Sequence, residues 1–223
     1  MDEVIASPGH DCALCPRLVA YRDANRAANP DWFNGPVPSF GDPAARLLVV
    51  GMAPGVRGAN RTGRPFTGDH AGLLLYTTLL KFGFADGEYL ADPNDGLALR
   101  DCRITNAVRC VPPANLPAPR EVATCNQFLT AELRGMENLR VVLALGVLAH
   151  AAVLRAYAIP LARIRFHHGQ FHALPGGRHL ANSYHVSRYN TNTGRLTTPM
   201  LEAVVADIVT RLGAPGSAMT GQL

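Results

Sequence analysis

The run Arg140-Val-Val-Leu-Ala-Leu145 is apolar at every position after the first. A strand with one wet face alternates polar and apolar residues. A strand without alternation is buried on both faces, which requires helices on either side of its sheet. Three more short runs read as strands: Arg46–Val50, Cys102–Asn106 and His179–Ser183. Helical stretches separate them: Ala71–Phe84, Pro119 to about Met136, and Gly146 to Tyr157. Arg17–Ala28 precedes the first strand as a helix, with Pro16 at its start. A last helix, capped by Thr198, carries Leu201, Val204, Val205, Ile208 and Leu212 on one face. Residues 29–43 and 85–100 read as loops, and Phe166–Leu174 as an edge strand or hairpin arm. The alternation predicts the α/β class: a three-layer α/β/α sandwich around a central, mainly parallel, four-stranded sheet. With 223 residues, one domain over 1–213 is expected, followed by a flexible tail over 214–223.

Ligands of such sheets sit beyond the carboxyl ends of the strands. Three loops leave those ends: Gly51–Asp69, Asn106–Pro113 and Ser183–Thr193. They are expected to converge. The first holds Arg57, Arg61 and Arg64, whose guanidiniums suit phosphate. It also holds Phe66, a planar apolar side chain in a wet loop, and Asp69, an acid among arginines. Its glycines let backbone approach a ligand closely. The glycine spacing fits neither the dinucleotide fingerprint nor the P-loop, so neither ligand is expected. Asn106 ends a strand with an amide that both donates and accepts. His185 follows another strand, where an imidazole can donate to a developing oxyanion. His167, His168, His172 and His179 lack a neighbouring acid or cysteine and read as surface or core residues.

The five cysteines are Cys12, Cys15, Cys102, Cys110 and Cys125. No apolar run is long enough to span a bilayer. The segment Met-Asp-Glu-Val-Ile lacks the basic start of a secretory signal. The cytoplasm is the expected compartment, where structural disulfides do not persist. Cys12-x-x-Cys15 with Cys110 and Cys125 would then hold either a [4Fe–4S] cluster or a Cys₄ zinc. Cys102 lies on a strand and reads as a core thiol. The net charge of +4 favours a polyanionic partner only mildly. Lys81 is the only lysine among 21 basic residues, so the basic surface is built from arginine.

Four segments together resemble a known family. They are Gly51-Met-Ala-Pro-Gly55, Asn60-Arg-Thr-Gly-Arg-Pro-Phe-Thr-Gly-Asp69, Ile104-Thr-Asn-Ala-Val-Arg-Cys110 and Ser183-Tyr-His-Val-Ser-Arg188. The chain is similar to the iron–sulfur uracil-DNA glycosylases, family 5 or type B, from Cys12 to the last helix. The resemblance implies a DNA-repair enzyme that flips uracil out of DNA and hydrolyses its glycosidic bond. It implies a structural [4Fe–4S] cluster on Cys12, Cys15, Cys110 and Cys125. Gly51, Met52 and Ala53 would line the base pocket, Phe66 would stack on the base, and Asn106 would bond its edge. His185 would stabilise charge on the leaving uracil. Asp69 would orient water or stabilise the sugar cation. Arg57, Arg61, Arg64, Arg188, Tyr189 and Asn190 would meet DNA, with the Arg188–Asn192 loop entering the duplex.

Two positions depart from the pattern. Met52 stands where related families carry an acid or amide, and Val186 where they carry proline. An apolar Met52 widens the expected substrates to hypoxanthine and xanthine. The implied partner is double-stranded DNA with damaged bases, single-stranded DNA being a further form. The expected protein is a cytoplasmic, nucleoid-associated monomer. The competing expectations are a non-catalytic iron–sulfur protein that binds damaged DNA, and a redox sensor.

Overall fold

The computed structural model describes residues 5–213, so the expected tail over 214–223 lies outside the described residues. Helix α1 (Pro16–Ala28) leads to strand β1 (Phe40–Gly41) and strand β2 (Leu47–Gly51). Helices α2 (Ala59–Thr62) and α3 (His70–Lys81) follow, then strands β3 (Ala85–Asp86), β4 (Ala98–Leu99) and β5 (Cys102–Asn106). Helix α4 (Pro119–Gly135), strand β6 (Val141–Leu145) and helix α5 (Val147–Ala156) come next. The described chain closes with β7 (Phe171–Leu174), β8 (Arg178–Ser183), α6 (Arg188–Asn192) and α7 (Thr198–Leu212).

The main sheet runs β1-β5-β2-β6-β8-β7. Its four inner strands are parallel, as expected. The sheet has six strands rather than four, because β1 and β7 add antiparallel edges. β1 is two residues long, too short to show a period, and it pairs only because β5 offers it a free edge. β3 and β4 likewise form a small ladder inside a stretch read as loop.

Both faces of the inner strands are buried. Leu47 and Val49 of β2 join Leu143, Leu75, Leu79 and Ile208 in one core. Leu48 and Val50 join Val142, Leu129, Leu133 and Val153 in the other. Period-two side chains thus feed two helical layers: α3 and α7 on one face, α4 and α5 on the other.

Helix ends shift by small amounts where a polar cap decides. α3 starts at His70, because Asp69 accepts from the Ala71 N–H. It stops at Lys81, before the left-handed Gly83, and Leu73 stands exposed on its outer side. Thr197, not Thr198, caps α7, its hydroxyl accepting from the Met200 N–H. The Arg188–Asn192 segment is a short helix, not a loop, capped by Ser187.

The loop between α2 and α3 is pinned from below. Arg64 is buried, so the expectation that it meets DNA phosphate gives way to a structural role. Its guanidinium forks onto Asp95 at 2.8 and 2.7 Å and its Nε donates to Thr67 at 2.8 Å. It also lies over the rings of Phe40, Tyr76 and Tyr89. Sequence spacing could not reveal this, because Asp95 sits in a distant acidic loop. The Arg64 hydrogen bond holds the Asp95 carboxyl down at about 2. A depressed carboxyl stabilises the fold above its unfolded value, about 4, and loses that contribution as pH falls toward 2. Asp95→Asn strands a buried guanidinium, so it should cost roughly 3–5 kcal/mol in urea unfolding at neutral pH. The wild type should lose stability between about pH 4 and pH 2 more steeply than the variant; parallel pH profiles would contradict this assignment.

Candidate active site

The parallel register sets Gly51 of β2 opposite Asn106 of β5, so two strand ends are level. Leu145 and Ser183 pair likewise on β6 and β8. The three loops expected to converge do so around one cleft of about 520 Å³. Phe66, Asn106, Asp69 and His185 all line it, with Met52 and Ala53.

Glycines make this convergence fit. A Cβ on Gly51 would lie 2.3 Å from Asn106 Oδ1 and 2.5 Å from Phe66 Cζ. A Cβ on Gly58 would lie 2.2 Å from Asp69 Oδ2, and one on Gly55 2.8 Å from it. The bare backbone therefore makes room for the protein's own side chains, and not only for a ligand.

Phe66 adopts a left-handed backbone, φ 52°. Such a conformation costs on the order of 1–3 kcal/mol in a bulky residue and persists only where its surroundings dictate it. Here the Tyr89 hydroxyl donates to the Phe66 carbonyl at 3.0 Å and the Tyr76 hydroxyl to the Pro65 carbonyl at 2.7 Å. The two tyrosine rings stack at 4.7 Å beneath the loop.

Two of the ionisable groups that line the cleft are tuned in opposite directions. Burial raises the Asp69 carboxyl above its ordinary value, against the Ala71 and Gly72 amides, which favour its charge. Burial pushes the His185 imidazole down to about 4. His185 is therefore neutral near pH 7, with one ring N–H to donate. Its ring lies 6.3 Å from that of Phe66. Among the described residues, neither the His185 ring nor the Asn106 amide has a side-chain hydrogen bond. Both are free to meet a ligand. The buried Val186 anchors the chain just after His185 in the core.

Arg188 lines the cleft and is exposed, as are Arg57 and Arg61, and Tyr189 stands 71 % exposed. Asn190 turns inward instead. Its amide donates to the His185 carbonyl at 2.8 Å, so it holds the histidine segment rather than reaching out to DNA. Residue patterns missed His70, Asn115 and Ser187, which also line the cleft. His70 had one signal, its place beside Asp69 at a helix start. Asn115 had none, since it sits in a proline-rich turn.

Cys12, Cys15, Cys110 and Cys125 line a second, small recess with Leu18, Val108 and Phe128. All four are free thiols, and Cys102 is buried apart from them in the core, as expected. Burial, then the neighbouring Cys125, raises Cys110 to about 12. Burial raises Cys125 and Cys15 too. The Arg109 N–H points at Cys125 Sγ, 3.4 Å away. Arg22 and Arg109 are buried, each with an Nε that lacks a hydrogen-bond partner, and they favour the thiolates of Cys110 and Cys125 respectively. Four thiols flanked by buried Arg22 and by Arg109, itself paired with the buried Glu132 at 2.6 Å, suit a thiolate-held centre. No group of three or more His, Cys, Asp or Glu among the described residues is arranged to hold a metal ion. The recess is an assembly of four cysteines, not a closed ion cage.

Known proteins carry the same arrangement of sequence. The family model described as the uracil DNA glycosylase superfamily matches residues 38–209. A type-5 uracil-DNA glycosylase of Thermus thermophilus is 46% identical over 202 residues, covering 88% of this chain and 91% of that protein. A type-5 uracil-DNA glycosylase of Pyrobaculum aerophilum is 42% identical over 199 residues, covering 87% of this chain and 86% of that protein. A type-4 uracil-DNA glycosylase of Thermotoga maritima is 32% identical over 164 residues, covering 73% of this chain and 71% of that protein. The matched span takes in the whole parallel sheet and every residue that lines the cleft, and the chain belongs to the uracil DNA glycosylase superfamily.

Proposed function

We propose that this protein is a DNA glycosylase that excises uracil from DNA and leaves an abasic site. The observation that carries this reading is one cleft lined together by Phe66, Asn106, Asp69 and His185. A base inside a stacked duplex is out of reach, so it must first be extruded, at a few kcal/mol. Phe66 offers a flat apolar face for it and Asn106 a donor and an acceptor for its edge. Breaking the glycosidic bond builds negative charge on the base and positive charge on the sugar. The neutral His185 N–H answers the first and the Asp69 carboxylate the second, as fixed dipoles and charges in a partly dry site. Asp69 also accounts for water attack in this reading, since Met52 offers no proton acceptor. The apolar Met52 wall supports hypoxanthine and xanthine as further substrates.

The exposed Arg57, Arg61 and Tyr189, with Arg188 at the cleft, support contact with double-stranded DNA, α6 entering the duplex. Single-stranded DNA is a further form of the same partner. A [4Fe–4S] cluster on Cys12, Cys15, Cys110 and Cys125 belongs to the same reading, supported by the four-thiol recess and its two buried arginines. Bound there, it would join the α1 segment to the loop after β5 as a covalent staple. A monomer working in the cytoplasm on the nucleoid completes the proposal.

The direct test is an abasic-site assay on a uracil-containing duplex under single-turnover conditions. The wild type should produce alkali-labile sites. Removing one preorganised donor or charge costs about 10²–10³ in rate, so His185→Ala and Asp69→Ala should each fall by that much without losing duplex affinity. Tight binding by the wild type with no abasic product would instead favour a non-catalytic binder. For the cluster, protein purified without oxygen should be brown, with iron and acid-labile sulfide in equal amounts. Cys110→Ser should lose both the iron and much of the thermal stability, because metal binding contributes folding free energy. A colourless wild type carrying zinc would refute the cluster.

A further inference from the structure

One side-chain hydrogen bond ties the two walls of the cleft together. His70 Nε2 lies 3.0 Å from Thr191 Oγ1, across 121 positions of sequence. His70 opens α3 beside Asp69 and lines the cleft, while Thr191 belongs to α6. Among the described residues, no other side-chain hydrogen bond joins the Gly51–Ala71 wall to the His185–Asn192 wall. Thr191 Oγ1 also lies 3.1 Å from the Arg188 carbonyl and 3.3 Å from the Ser187 carbonyl. Those carbonyls can only accept, so they take the single hydroxyl proton and the imidazole N–H donates to the Thr191 oxygen.

α6 needs such a tether. It spans five residues, and a helix that short does not hold itself in water. No residue of α6 is buried, so no apolar face fixes it to the body. The buried Val186 and Leu196 anchor the chain on either side of it; what orients the helix between them is polar: the Ser187 cap, the Asn190 amide on the His185 carbonyl, and the His70 bond. The first two reach back only to α6's own wall. His70 alone reaches from the opposite wall, beside Asp69.

We propose that His70 is a positioning residue: through Thr191 it fixes α6 across the cleft, so that Arg188 and Tyr189 prop open the duplex while the base is extruded. This rests on the reading that α6 enters duplex DNA. His70 then serves chiefly base extrusion; its weak pull on the neighbouring Asp69 acts on both substrates alike, so only the extrusion role separates them. The consequence is a defect confined to paired substrates, because a base in a single strand has no partner to leave.

The test compares single-turnover excision of uracil from a duplex and from a single strand of the same sequence. His70→Ala should lower duplex excision about five- to tenfold, the worth of one hydrogen bond, and single-strand excision less than about twofold. Thr191→Val should reproduce this, and His70→Ala with Thr191→Val should be no worse than either alone. Thr191→Ser, which keeps the hydroxyl, should restore the duplex rate. Equal losses on both substrates, or additive losses in the double variant, would overturn the proposal. Amide hydrogen exchange on the unliganded protein reads the tether without any chemistry. His70→Ala should speed exchange across Thr191–Thr193 about five- to tenfold, and unchanged exchange would overturn the tether even if uracil proved not to be the substrate. Conversely, faster exchange in His70→Ala, with a wild type that excises nothing, would sink the function and leave the tether standing.

Discussion

Backbone pairing between β2 and β5 is the constraint from which the site follows. Parallel register sets Gly51 beside Asn106 at the carboxyl end of the sheet. That end must then accommodate two side chains at a place where a third would collide. The absent Cβ of Gly51 leaves the Asn106 amide and the Phe66 ring side by side. A shift of one residue in this ladder would turn Asn106 to the other face and dissolve the pair. The apolar inner strands resist such a shift, because it would exchange the residues of the two cores.

Electrostatics are divided between support and chemistry. Arg64 and Asp95 neutralise each other beneath the loop, and the tyrosine hydroxyls bind its carbonyls. That foundation holds Phe66 in a backbone region it would not choose alone. Above it, burial works on Asp69 and His185 in opposite directions, disfavouring charge on each. Histidine is left as a neutral donor. On Asp69 the backbone amides at the start of α3 oppose burial and favour the charged form. The site thus holds one donor and one acid at ordinary pH without any metal ion at the reacting bond being required by the residues present.

The cysteine recess and the cleft are mechanically linked. Arg17, two residues after Cys15, grips Glu121 with both arms at 2.7 Å and donates to the Leu116 carbonyl at 3.1 Å. Leu116 follows Asn115, which lines the cleft. Whatever anchors Cys15 therefore also steadies one rim of the site. α6, on the other wall, has no buried residue and is held by the Ser187 cap, the Asn190 amide and the His70 bond instead.

The sequence by itself determined the parallel inner strands, the helices between them and the three loops at their carboxyl ends. Unbroken apolar runs and their spacing carry that information, because burial on two faces leaves no polar position. It also marked Phe66, Asn106, Asp69 and His185, through residue type and place in the loops that leave the strands' carboxyl ends. Only the tertiary structure decided which basic residues face water. Arg57 and Arg64 look alike in sequence, but a partner thirty-one positions away takes Arg64 out of solvent and leaves Arg57 exposed. The same holds for Asn190, turned inward by a carbonyl, and for His70, drawn to Thr191 from across the cleft. Such pairings join residues far apart in the chain, and local pattern contains no term for them; folding alone brings the partners within reach.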